Sequence, residues 1–244
     1  MIPPPEPANF VKTSVAEHVL NVLSTTQRAR LIVSIEGPPG VGKSTAAQHY
    51  AAGSNTVWYF AVRRDTSSTG SLFRELSAAF TGISDQRSTD NFRSLAMAAR
   101  WASDREGIKP LLILDEAQNL NADALEMLRA LYDEGGLSLA LVGNHTFADR
   151  FNRERKALTA SPQFRSRLNI TVDLQAVEAA DAAAVALAHG ITDAALIKQL
   201  GQIARGPRGL RIIEGVSRLG AELCQTGNPD PADHRAALAV LHQS

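Results

Sequence analysis

Cysteine is nearly missing from this chain: Cys224 stands alone among 244 residues. No disulfide can form within one copy, and a reducing compartment, the cytoplasm, is expected. Net charge is missing as well. Lys plus Arg number 25 and Asp plus Glu number 25, so no global field draws the protein onto DNA or an anionic membrane. Any polyanion has to be met by a local patch. No apolar run approaches the ~20 residues needed to span a bilayer, so no membrane partner is expected. The opening Met-Ile-Pro-Pro-Pro-Glu-Pro lacks the charged and apolar blocks of a signal peptide. The histidines at 18, 49, 145, 189, 234 and 242 never fall at metal-ligand spacing. What is present is ordinary for a globular chain, with 44% apolar and 20% charged residues. At roughly 150 residues per domain, the length allows one or two domains.

Residues 3–7 read as an extended arm. Val15, Val19, Leu20 and Leu23 at helical spacing predict a helix over 13–28, with Thr13 as its cap. Short apolar runs at 31–36 (LIVSIE), 57–62 (VWYFAV), 111–116 (LLILDE), 137–144 (LSLALVGN) and 169–174 (NITVDL) predict five strands. The near-continuous apolar character of LLIL is expected of a strand covered on both faces. Helices are predicted between the strands over 43–52, 71–80, 89–102 and 122–133. Such alternation predicts an α/β fold with a parallel sheet and helices on both sides. After 174 the strand patterns stop, and helices are predicted over 181–189, 193–204, 210–225 and 231–243. The expected division is an arm and helix at 1–28, an α/β core at 29–175 and a helical domain at 176–244.

Residues 37–44 match G-x-x-x-x-G-K-[ST] between a predicted strand and a predicted helix. Gly37, Gly40 and Gly42 let the backbone bend tightly and turn its N–H groups toward phosphate oxygens. Pro38, Pro39 and Val41 complete the loop, and Thr45 follows it. The helix after it adds free amides and a positive dipole end. Lys43 is expected on the β- and γ-phosphates and Ser44 on Mg²⁺. No N-K-x-D guanine-reading motif occurs, so ATP is preferred to GTP.

The third predicted strand ends in Asp115-Glu116. Ligands of such folds sit at the carboxyl ends of the strands. Asp115 is expected to hold Mg²⁺ through water, and Glu116 to polarise the attacking water. Asn144 ends the fourth strand, where its amide orients that water, contacts the γ-phosphate or merely caps the strand. Arg165 or Arg167 is a candidate to reach a neighbouring copy's nucleotide, with a surface ion pair as the plain alternative. Arg211, at a helix start, works against the helix dipole, which points to an anionic partner such as the γ-phosphate.

GPPGVGKST, LLILDEAQ, LVGN, FRSRL and GLR, in this order, resemble the Walker A, Walker B, sensor 1, arginine finger and sensor 2 motifs of AAA+ ATPases. The resemblance covers about residues 29–219 and implies a P-loop NTPase core with a five-stranded parallel αβα sheet and a small helical lid. EGPPGVGKSTA, the stretch from DEAQ to LVGN, and ARGPRGLRIIEGVSRL are similar to the MuB, TniB and TnsC group of transposition ATPases. That likeness implies ATP-driven oligomers, filaments or rings, on duplex DNA with little sequence preference. It also implies delivery of target DNA to a transposase and its stimulation. Walker A begins at residue 37, leaving no room ahead of it for the helix-turn-helix domain of the phage Mu member. A helicase-loader ATPase of the IstB and DnaC branch is the alternative reading, and a secretion-type motor-assembly ATPase a third.

Local charge supplies candidate DNA contacts. Between 149 and 168, six basic residues (150, 153, 155, 156, 165, 167) face two acidic ones. Between 205 and 218, four basic residues face one acidic residue. Arg63 and Arg64 follow the second strand and lead into Thr66 and Ser67. In a ring or helix of subunits this loop is expected to touch phosphates without reading bases; ordinary solvated arginines are the alternative.

Overall fold

The computed structural model describes residues 6–7, 9–107, 109–145, 162–224 and 229–242. The chain divides into two compact units. One comprises Met1–Pro7, Val19–Glu36 and Ser44–Asp173; the other comprises Ala8–His18, Gly37–Lys43 and Leu174–Ser244.

The first unit is built on a parallel sheet, five-stranded among the described residues. Its strands are β1 (Ile32–Glu36), β2 (Val57–Ala61), β3 (Leu111–Asp115), β4 (Ser138–Val142) and β5 (Leu168–Asp173), in the order β2-β3-β4-β1-β5. Ile32 and Leu112 both stand in register with Leu139. Because every pairing is parallel, the carboxyl ends of all strands lie along one edge. β1, β3 and β4 are buried throughout, as their apolar sequences require, whereas β5 at the sheet edge is largely exposed.

The intervening helices are α2 (Lys43–Ala52), α3 (Thr69–Thr81), α4 (Ser88–Glu106), α5 (Ala122–Gly135) and α6 (Pro162–Arg167), after the amino-terminal α1 (Ser14–Ala29). Thr13 caps α1 as expected, its hydroxyl accepting from the Ala16 N–H at 3.1 Å. Asn121 does the same for α5, from Ala124 at 2.7 Å. Trp58, Phe73, Leu95, Leu112, Leu128 and Phe164 belong to one buried cluster. Each such side chain contributes about 1.5–3 kcal/mol through burial. Short α6 has no counterpart in the sequence expectation. It is polar apart from Phe164, which is fully buried and pins the turn to the core.

The second unit contains α7 (Ala179–Ala188), α8 (Ala194–Ile203), α9 (Arg211–Leu223) and α10 (Pro231–His242). Ala182, Leu200, Ile213, Val216 and Leu238 are buried in it. Asp193 caps α8 by accepting from the N–H groups of Ala195 and Leu196. Among the described residues, no helix is long and apolar enough to cross a membrane.

Candidate nucleotide site

The predicted phosphate loop starts where β1 ends and runs into the first turn of α2. Gly40 and Gly42 take φ values of 76° and 102°, conformations that turn the backbone tightly and favour glycine. Val41 is buried and anchors the loop. Lys43 is 8% exposed. Its ammonium donates to the carbonyls of Gly37 at 2.9 Å and Pro38 at 2.7 Å. Ser44 and Thr45 belong to the first turn of α2, where N–H groups lack helical partners.

A second segment lies on this loop. The Leu210 N–H donates to the Gly40 carbonyl at 2.8 Å. A Cβ on Gly40 would come within 2.4 Å of the Arg208 carbonyl oxygen, and one on Gly209 within 2.5 Å of the Gly40 carbonyl carbon. Gly209 also has a φ of 57°. The two backbones approach so closely that neither position has room for a side chain. Arg211 follows directly, exposed, as the first residue of α9. Sequence reasoning singled out Arg211 but missed the docking; the glycines flanking Pro207-Arg208 are its signal.

At the end of β3, Asp115 is 4% exposed. The Tyr59 hydroxyl donates to Asp115 Oδ2 at 2.7 Å, and the Glu116 N–H donates to Oδ1 at 2.9 Å. Gln48 Nε2 in turn donates to the Tyr59 oxygen at 3.1 Å. Burial first, and then the neighbouring Asp115 carboxylate, push the Tyr59 phenol above its ordinary value, so it remains a donor. Neither Tyr59 nor Gln48 was singled out in the sequence. The available signal is the one hydroxyl in the otherwise apolar β2, because a buried tyrosine oxygen needs a partner.

Strand β3 stops one residue before the expected end, because Glu116 turns left-handed at φ 54° and ψ 38°. A non-glycine residue held there costs about 1–3 kcal/mol, and such outliers cluster at functional sites. Glu116 is exposed, and its carboxylate accepts from Gln118 Nε2. The Gln118 side-chain oxygen, Oε1, accepts from the Asn144 backbone N–H at 3.4 Å. Gln118, unforeseen, thus links the two residues expected to handle the attacking water. Asn144 is half-buried and lies two residues beyond the end of β4.

Arg165 and Arg167 are both exposed on α6. Arg167 Nε lies 3.2 Å from Asp133 Oδ1 of its own chain. Arg63 and Arg64 are exposed, and Arg63 pairs with Asp65 at 3.1 Å and Glu75 at 3.0 Å. The Ser67 hydroxyl donates to the Arg64 carbonyl at 2.8 Å. Thr66 requires a correction. It is fully buried, and its hydroxyl accepts from the Arg63 N–H and donates to the Arg63 carbonyl. It shapes the turn and has no surface to offer DNA. Arg150, Arg153, Arg155 and Lys156 lie outside the described residues, as do residues 3–5 of the arm.

The donor set fits a small hard cation. Ser44 supplies a hydroxyl and Asp115 a carboxylate held in one orientation. Among the described residues, no three His, Cys, Asp or Glu side chains gather as a metal cage. One or two protein oxygens completed by phosphates and water is the usual arrangement for Mg²⁺.

Comparison with known proteins supports the same reading. The AAA domain family matches residues 26–151, and the Mu B transposition protein C-terminal family matches residues 166–229. The ATP-dependent target DNA activator B of Escherichia phage Mu is 30% identical over 217 residues, which cover 89% of this chain and 68% of that protein. The Mu-like prophage FluMu DNA transposition protein B of Haemophilus influenzae is 31% identical over 208 residues, covering 84% and 70%. Among solved structures, the Aeropyrum pernix ORC2 protein superposes with a TM-score of 0.65 at 16% identity, over 97% of this chain and 69% of that one. That likeness concerns the fold alone. The chain belongs to the Mu B family of transposition proteins and is an ATPase of the AAA+ P-loop type.

Proposed function

We propose that this ATPase binds ATP with Mg²⁺, assembles with further copies on duplex DNA, and presents that DNA to a transposase that it activates. The observation that carries the reading is the loop from Gly37 to Ser44, with positive-φ glycine turns at 40 and 42, in a chain 30% identical to a protein named a target DNA activator. In this reading the loop amides and the start of α2 hold the phosphates. Lys43 exchanges two carbonyl oxygens for phosphate oxygens, while Ser44 and Asp115 hold the cation. When bound, Mg²⁺ neutralises charge on the β- and γ-phosphate oxygens. Glu116 leaves Gln118 to take a proton from the attacking water, and Asn144 orients that water. Arg211 approaches the γ-phosphate, and residues 176–244 act as the lid.

Arg165 is the preferred residue to reach a neighbouring copy's nucleotide, since Arg167 is engaged by Asp133. Such a finger is worth about 10³–10⁵ in rate where it operates. On DNA, Arg64 and Ser67 contact the phosphate backbone, and Arg63 joins them by exchanging Asp65 and Glu75 for phosphates. For a neutral chain, repetition along an assembly multiplies weak contacts. The setting is the cytoplasm. Electron microscopy with duplex DNA and a slowly hydrolysed ATP analogue tests the reading. Long filaments support it; protein that stays solitary, or fails to bind the nucleotide, overturns it.

A further inference from the structure

We propose that Tyr59 is a positioning residue for the Asp115 carboxylate, braced by Gln48 from the helix that begins with Lys43 and Ser44. The proposal rests on the reading of Asp115 as the carboxylate that holds magnesium through water. A carboxylate 4% exposed has little water to orient it, and rotation about its last bond would swing both oxygens. Here each oxygen has one fixed donor: the Glu116 N–H on Oδ1 and the Tyr59 hydroxyl on Oδ2. The remaining lone pairs stay available for a cation.

Tyr59 suits this task. It projects from β2, the strand paired with β3, with Ile113 opposite it and Ala61 opposite Asp115. Its hydroxyl comes at the end of a rigid ring, so strand pairing fixes where the oxygen lies. Gln48 fixes the direction of the hydrogen bond. Its amide donates to the phenol oxygen, which leaves that oxygen to spend its own proton on Asp115. Gln48 lies four residues after Ser44 on α2, on the same face of the helix. The relay Gln48 to Tyr59 to Asp115 therefore ties the helix carrying Ser44 to the carboxylate that holds the cation's water. Partners that orient a metal ligand in this way are typically worth about 10–100-fold in metal affinity.

The test measures equilibrium binding of a fluorescent ATP analogue to the full chain across a Mg²⁺ titration and in EDTA, with ATP turnover in parallel. For Tyr59→Phe, binding in EDTA should match the wild type, while the Mg²⁺ midpoint rises about tenfold or more. Turnover should fall at low Mg²⁺ and recover at high Mg²⁺, which a merely structural defect would not do. Gln48→Ala should move the midpoint in the same direction, and it decides the matter if Tyr59→Phe does not fold by circular dichroism. A wild-type midpoint in Tyr59→Phe, with Asp115→Asn losing its Mg²⁺ dependence, overturns the proposal and leaves the role of Asp115 standing. A wild-type midpoint in Asp115→Asn overturns that underlying role and the proposal with it.

Discussion

Glu116 occupies a backbone conformation that few side chains adopt, and its carboxylate is already engaged by Gln118. Glu116→Gln should keep nucleotide binding and nucleotide-driven assembly but lose about 10²–10⁴ in turnover, the usual weight of a general base. Phosphate release measured beside filament formation checks this, and turnover at the wild-type rate would show that another group activates the water. The turn at 37–44 and the placing of Asp115 at the end of β3 were legible from sequence because a strand–glycine loop–helix pattern and a continuous apolar run fix both. Tyr59 was not, because its partner lies 56 residues away and the bond depends on the β2–β3 register. Thr66 was misread for a related reason. Its sequence neighbours are exposed polar groups, and only the turn itself shows that the hydroxyl closes on Arg63.

The strands were legible as elements because buried parallel strands carry continuous apolar runs, and all five expected strands occur. Short α6 was not, since six residues with one apolar anchor leave no periodicity to read. Nor was the seat of the 206–210 segment on the phosphate loop, a contact between stretches far apart in the chain. That contact makes a sharp prediction. Gly209→Ala places a Cβ 2.5 Å from the Gly40 carbonyl carbon at a φ of 57°. The left-handed conformation alone costs about 1–2 kcal/mol, and the clash adds to it. Thermal denaturation should show lower stability, and nucleotide titration weaker binding. Gly82→Ala, also at positive φ but with open space around it, should show only the conformational cost. Equal nucleotide affinity in the two variants would show that the docking does not shape the loop.

For the whole molecule, balanced charge means that the proposed affinity for duplex DNA would have to come from particular arginines, repeated in the proposed assembly. Arg64→Ala should weaken duplex binding to a similar extent across sequences and flatten its salt dependence, as gel shifts with ATP at several salt concentrations would show. The proposed assembly also predicts complementation. Mixing Arg165→Ala with Glu116→Gln copies should restore turnover that neither has alone, because an intact pocket on one meets an intact arginine on the other. A mixture as inactive as its parts removes Arg165 from that role. The Lys43 ammonium, drawn back onto Gly37 and Pro38, has its own consequence. The loop is cinched by its own ammonium, so in the proposed function a triphosphate would swap acceptors instead of organising a slack turn, and little ordering entropy would oppose capture. Replacing Lys43 by alanine would therefore loosen the cradle as well as delete a contact, and the affinity lost would overstate what the ammonium gives to the phosphates.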